Sequence, residues 1–186
     1  SKFQNYKTYA ITTIDKIFTE EQMKDVQKLE AVNLQSVLMR NEGNGQFSFQ
    51  ALPKEAQFSV LNGIVADDFD GDGNLDLAIN GNDYGTEVSV GRYDALNGLF
   101  LKGDGKGGFA ALSILQSGIF IPGNGKGLVK LRHANGKTLL AAAQNRGPLK
   151  IFELKSSSLN IPLLPSDRTA HISLSNGKKQ VMEAYY

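Results

Sequence analysis

The densest chemistry in this chain is a run of carboxylates, Asp68-Phe-Asp70-Gly-Asp72-Gly-Asn74-Leu-Asp76, with Asp at positions 1, 3, 5 and 9 of a loop and Gly at position 6. Hard oxygen donors at this spacing suit Ca²⁺, which takes about six to eight oxygens from carboxylates, carbonyls and water. The expected ligands are the side chains of Asp68, Asp70, Asp72 and Asp76 with the backbone carbonyl of Asn74, while Gly71 and Gly73 let the chain wrap around an ion. Counting Asp67, five Asp residues fall within ten positions, and without a cation their repulsion opposes folding. Position 12 is Ile79, not the bidentate Glu of an EF-hand, and Leu75-Asp-Leu-Ala-Ile79 reads as a strand. The competing reading of the same letters is an acidic, solvated turn.

A second set of polar residues lies just downstream, in Asn82-Asp-Tyr-Gly-Thr-Glu-Val-Ser-Val-Gly-Arg-Tyr-Asp-Ala-Leu-Asn97. This connection exceeds the two to five residues of an ordinary hairpin loop. Its Tyr84, Glu87, Arg92, Tyr93 and Asp94 make the mixed aromatic and charged set of a recognition loop. The alternative is an internal ion pair from Arg92 to Asp94 or Glu87 that merely orders the loop. Other letters lead nowhere: Gly103-x-Gly105-x-x-Gly108 runs into the strand-like Phe109-Ala-Ala-Leu112, so no helix N-terminus meets a phosphate. Gly136-Lys-Thr138 lacks the first Gly of a P-loop, since Leu131 stands there. His133 and His171 are isolated in sequence, there is no Gly-x-Ser-x-Gly elbow and no Cys, and the paired carboxylates are concentrated in the acidic loop. No catalytic residue and no enzyme activity is therefore expected.

The elements that must position these residues are short strands. The chain has 186 residues, 41% of them apolar, enough for one domain or two small ones with a real core. All 20 Gly lie at or after Gly43, and ten Asn-Gly or Asp-Gly pairs punctuate the sequence. Such pairs favour the positive φ of tight hairpins. Between them stand β-prone runs such as Gly63-Ile-Val-Ala66, Leu99-Phe-Leu101 and Thr138-Leu-Leu-Ala141, an all-β, antiparallel signature. The first 35 residues differ: Thr19-Glu-Glu-Gln22 is a capping box, and Met23, Val26 and Leu29 follow at helical spacing. This predicts a helix of about three turns from Glu20, a connector packed on the first strands, with a shorter turn through Ile14, Ile17 and Phe18. A net charge of +1 counts against a nucleic-acid partner, and no apolar run is long enough to span a membrane.

The strands repeat. Arg40-Asn-Glu-Gly-Asn-Gly-Gln-Phe47 matches Lys102-Gly-Asp-Gly-Lys-Gly-Gly-Phe109 at an offset of 62, and Gly73, Ala78 and Asn82 match Gly136, Ala141 and Asn145 at 63. A period of this size predicts four-stranded repeating sheets, as in propeller blades. The later copy carries Arg132-His-Ala-Asn-Gly136 in place of the acidic loop, so no metal is expected there.

Val65-Ala-Asp-Asp-Phe-Asp-Gly-Asp-Gly-Asn-Leu-Asp-Leu77, with the Gly-Phe turn at 40–47, resembles the FG-GAP/VCBS repeats of integrin-like β-propellers over residues 36–154. Residues 170–186, Ala170-His-Ile-Ser-Leu-Ser-Asn-Gly-Lys-Lys-Gln-Val-Met-Glu-Ala-Tyr-Tyr186, resemble the start of the ASPIC/UnbV segment that follows such repeats in bacterial envelope proteins. The resemblance implies an antiparallel, partial β-propeller in a secreted or cell-envelope protein. Its Ca²⁺ loops would be structural, and a protein or glycan ligand would bind on loop faces, as in cell adhesion. It divides the chain into a helical connector at 1–35, repeats at 36–154, and a linker with a β-hairpin at 155–186. Two rival classes are a carbohydrate-active enzyme on a propeller scaffold and an RNA- or polyanion-binding module. About three periods fit in the chain where a propeller needs at least four blades, so a piece of a larger propeller is expected, one that self-associates through an open sheet edge.

Overall fold

The structure, a computed structural model, describes residues 3–155 and 164–183. Tyr185 and Tyr186, the last residues of the ASPIC/UnbV-like run, lie outside the described residues, as does most of the linker at 155–163. The chain divides into two compact units, Ser1–Leu34 and Gln35–Tyr186.

The first unit holds two short helices, α1 (Tyr6–Ala10) and α2 (Ile14–Ile17), the first capped by Asn5, whose Oδ1 accepts from Thr8 N at 2.9 Å. The helix expected from Glu20 does not form. Its capping box does: Gln22 N donates to Thr19 Oγ1 at 3.2 Å and Thr19 N to Gln22 Oε1 at 3.0 Å. The chain then turns away at Asp25, whose φ of 62° is left-handed, and Val26 and Leu29 are exposed. A short helix whose apolar stripe stays largely exposed lacks the tertiary burial that supplies most helical stability.

The second unit is mainly antiparallel β, with one 3-10 turn at Lys54–Gln57 and one short helix, α3 (Ile114–Ser117). The strands are β1 (Val37–Gly43), β2 (Gln46–Ala51), β3 (Leu61–Asp67), β4 (Asp76–Gly81), β5 (Leu99–Gly103), β6 (Phe109–Leu112), β7 (Gly125–Arg132), β8 (Thr138–Gln144), β9 (Lys150–Glu153), β10 (Thr169–Ser173) and β11 (Lys179–Glu183). They form a β1-β2 hairpin, a four-stranded sheet β3-β4-β5-β6, a three-stranded sheet β7-β8-β9 and a β10-β11 hairpin. One sheet therefore has the four strands that the repeat predicts. Among the described residues the sheets do not close into a ring. No described helix is long and apolar enough to cross a membrane.

Strand alternation gives the central sheet two apolar faces. Ile79, Leu99 and Leu101 join Ala56 and Leu96 in one buried cluster, while Ala78 on the opposite face joins Ile119, Ile121, Leu140 and Ala142 in another. The β3–β6 sheet is thus covered on both sides, and its acidic β3-β4 connection projects from one end.

Six of the ten Asn-Gly and Asp-Gly pairs show two uses. Asn44-Gly45, Asp104-Gly105, Asn135-Gly136 and Asn176-Gly177 close hairpins, as expected. Asn62-Gly63 and Asn80-Gly81 instead lie inside β3 and β4. A Cβ on Gly63 would come 2.6 Å from both Asn80 Oδ1 and Leu128 N, so glycine is there for close approach of the two sheets. The asparagines bridge that approach: Asn62 Nδ2 donates to Gly125 O at 2.8 Å and Asn80 Nδ2 to Gly127 O at 2.8 Å.

Candidate metal centre

Strand β3 hands the chain to β4 through residues 68–75, and the carboxylates of this turn organise its backbone. Asp68 accepts from Gly71 N through Oδ1 and from Gly73 N through Oδ2, both at 2.8 Å. Asp70 Oδ1 accepts from Asp72 N at 3.1 Å, and Asp72 Oδ1 from Asn74 N at 2.8 Å. Gly71 and Gly73 have φ of 81° and 80°, the left-handed values that the wrapping chain requires. Asp76 is fully buried at the start of β4, where Oδ1 accepts from Gly103 N at 2.9 Å and Oδ2 from Phe69 N at 3.3 Å.

Asp68, Asp70 and Asp76 each offer a carboxylate oxygen within 4.8 Å of the others, an arrangement that could hold a metal ion. The donor chemistry fits a hard divalent cation, because a carboxylate oxygen that accepts one N–H keeps a second lone pair. Asp72 does not join this group. Its carboxylate takes the Asn74 amide and lies 3.2 Å from Lys102 Nζ, which also donates to Asp70. The electrostatics follow from these contacts. Burial raises the Asp76 carboxyl above its ordinary range, against the pull of its two backbone donors. The Asn74 amide lowers the Asp72 carboxyl, and the hydrogen bonds to Asp70 and Asp72 push Lys102 up to about 12.

Several residues at this site escaped the sequence reading. Lys102 aligns with Arg40 in the repeated Gly-Phe turn, yet only the β4-β5 pairing brings it to the acidic loop. The β10-β11 hairpin reaches the same loop: Asn176 Nδ2 in its turn donates to Asp72 O at 3.3 Å and Lys178 Nζ to Asn74 Oδ1 at 2.6 Å, and Gln180 Nε2 on β11 donates to Gly73 O at 3.3 Å. Between this turn and the β5-β6 turn lies a cavity of about 550 Å³, lined by Leu38, Asn74, Leu75, Phe109, Lys178 and Gln180 among others. Asp67, the fifth Asp, pairs with Lys130 of the next sheet at 2.6 Å.

The connection from Asp83 to Asn97 is ordered from within. Asp83 and Tyr93 exchange backbone hydrogen bonds of 2.9 Å, the Tyr84 hydroxyl donates to Asp94, and the Arg92 guanidinium lies 4.7 Å from the centre of the Tyr84 ring. The hydrogen bond to Asp94 raises the Tyr84 hydroxyl above its usual range. Arg92 thus orders the loop through an aromatic face where a carboxylate partner was the alternative expected from sequence. Glu87 and Tyr93 are exposed. No protein-family model, curated protein or solved structure matches this chain.

Proposed function

We propose that this chain is a calcium-stabilised, non-catalytic binding domain of β-propeller type, secreted or held in the bacterial cell envelope, and serving adhesion to a protein or glycan. The observation that carries the reading is the convergence of the Asp68, Asp70 and Asp76 carboxylates within 4.8 Å at one end of a sheet. In this reading Asp72 and the Asn74 carbonyl complete the ligand set, and a cation that recruits Asp72 displaces Lys102. The resemblance of residues 65–77 to FG-GAP/VCBS acidic loops supports calcium over other hard cations. The bound ion would hold β3 and β4 in register.

Affinity in the range of extracellular modules, about 10⁻⁴ to 10⁻³ M, is expected. At roughly ten times the dissociation constant, calcium would add about 1.4 kcal/mol of stability, so chelation lowers the melting temperature without unfolding the chain. Asp70→Ala should abolish this response. Lys102→Gln should tighten calcium binding by roughly two- to fivefold, the range that exposed ion pairs carry. Titration calorimetry on chelator-treated protein, with melting scans, tests the reading; neither heat nor a melting shift at millimolar calcium would sink it.

The 83–97 loop is the recognition surface in this proposal, with Tyr93 and Glu87 presented to a ligand and Tyr84, Arg92 and Asp94 holding the loop in shape. Tyr93→Ala is expected to abolish binding to ligands found on glycan or protein arrays, with an unchanged melting temperature. Unchanged binding with a lowered melting temperature would instead make the loop structural.

A further inference from the structure

Among the described residues, β10 and β11 bond to each other and to no other strand. Side chains of this hairpin instead converge on the acidic turn. Asn176 Nδ2 and Lys178 Nζ both donate to Asp72 O, at 3.3 and 3.1 Å, Lys178 Nζ donates also to Asn74 Oδ1 at 2.6 Å, and Gln180 Nε2 donates to Gly73 O at 3.3 Å. Three of the side chains close around Gly73, where a Cβ would come 2.8 Å from Asn176 Nδ2, 2.9 Å from Leu174 Cδ1 and 3.2 Å from Lys178 Cδ. Glycine at 73 thus serves both the left-handed backbone and the seat of the hairpin.

The two sets of bonds on this turn are complementary. Carboxylates of the turn take its N–H groups, those of Gly71, Asp72, Gly73 and Asn74. The hairpin takes the carbonyls of Asp72 and Gly73 and the side-chain oxygen of Asn74. Docking of the hairpin therefore fixes residues 72–74 without taking an oxygen from Asp68, Asp70 or Asp76, the carboxylates that gather.

The form of the hairpin's own turn does not dictate this contact. Asn135-Gly136-Lys137 makes the same turn between β7 and β8: Lys137 N donates to Asn135 Oδ1 as Lys178 N does to Asn176 Oδ1, both at 3.0 Å, and Gly136 and Gly177 have φ of 86° and 84°. Lys137 Nζ then pairs with Glu153 of its own sheet, whereas Lys178 Nζ reaches a residue 104 positions away.

We infer that the β10-β11 hairpin is a positioning clamp for the acidic turn: Asn176, Lys178 and Gln180 hold residues 72–74 in the wrapped conformation and thereby set the turn's affinity for its cation. The effect on affinity rests on the calcium reading above; the ordering of the turn does not. A cation that meets an ordered turn has less freedom to remove, and its apparent affinity falls with the fraction of time an unclamped turn is competent. Lys178 brings an opposing effect, since its charge repels a cation while its hydrogen bonds order the turn. Asn176 and Gln180 are uncharged and isolate the clamp. By linkage, calcium tightens the docking of the hairpin by the same factor.

Amide exchange and titration calorimetry on the full chain test this. In chelator, Asn176→Ala combined with Gln180→Ala should speed exchange at Gly73 N and Asn74 N by about three- to tenfold, with a melting temperature near the parent's, because the turn opens while the sheets stay paired. Calcium chloride titrated into the same variant should show a dissociation constant raised by about three- to tenfold. In the parent, calcium should slow exchange at Gly177 N and Lys178 N. Should Asn176→Ala open the hairpin's own turn, Gln180→Ala on β11 is expected to move both readouts in the same direction by about twofold. Parent-like exchange at Gly73 and Asn74 in both variants overturns the clamp. Faster exchange with unchanged calcium affinity overturns the positioning role. So does a Lys178→Gln protein that binds calcium more tightly while the Asn176 and Gln180 variants bind as the parent does, since the hairpin would then act by charge alone. A parent that takes no calcium sinks the metal reading, and exchange in chelator then decides the clamp.

Discussion

Asp76→Ala is expected to destabilise the second unit by about 2–5 kcal/mol even in chelator, because it strands two backbone donors, each costing about 1–3 kcal/mol when unsatisfied and buried. Asp76 has no exposed surface, and its two oxygens satisfy Gly103 N on β5 and Phe69 N in the acidic turn. One side chain therefore ties the turn to the neighbouring strand, whatever the cation does. Burial and the nearby charges of Asp70 and Asp72 oppose its ionised form, so Asp76→Asn removes an electrostatic cost while keeping one acceptor. Its loss in chelator should be smaller, about 1–2 kcal/mol. Calcium should separate the variants further, since it stabilises the parent and neither variant. Urea unfolding of all three proteins, with chelator and with millimolar calcium, measures both effects. An alanine variant within about 0.5 kcal/mol of the parent in chelator, the range of ordinary surface substitutions, would show that Asp76 is no anchor.

What could be read from the sequence was local. The Asp spacing and the two left-handed glycines of the acidic turn act within nine residues, and the structure places Asp68, Asp70 and Asp76 together. The hairpins closed by Asn44-Gly45 and Asn135-Gly136 were legible for the same reason. The helix expected from Glu20 fails although its capping box forms, because a cap specifies where a helix starts and burial decides whether it continues. Lys102 is 32 residues from Asp70, and Lys178 is 104 from Asn74, so their arrival at the loop depends on strand pairing and hairpin placement. Asn62 and Asn80 carried a turn-like pair with Gly inside strands, and only tertiary closeness explains the glycines: Gly63 lies against the backbone of the next sheet, and Gly81 against the backbone of Val60.

Asn82→Ala should produce the other large loss, about 3–6 kcal/mol, since it combines stranded polar groups with a strained backbone. Asn82 is fully buried just beyond β4 with φ of 83°, a region that Asn enters more readily than other non-glycine residues. Its amide donates to Leu96 O at 2.7 Å and Gly123 O at 2.9 Å, and its Oδ1 accepts from Leu96 N at 3.0 Å. One side chain thus closes the base of the 83–97 loop and fastens it to the segment entering β7. Asn82→Gly relieves the backbone but loses the same hydrogen bonds, so it should be more stable than the alanine variant by about 1 kcal/mol and still well below the parent. The difference between the two variants measures the backbone strain, and the difference between Asn82→Gly and the parent measures the polar bridge. Before global unfolding, both should speed amide exchange at Leu96 and Tyr93, because the loop base opens while the central sheet stays paired. Equal stability of the alanine and glycine variants would remove the strain argument, and parent-like exchange at Leu96 in both would remove the bridge.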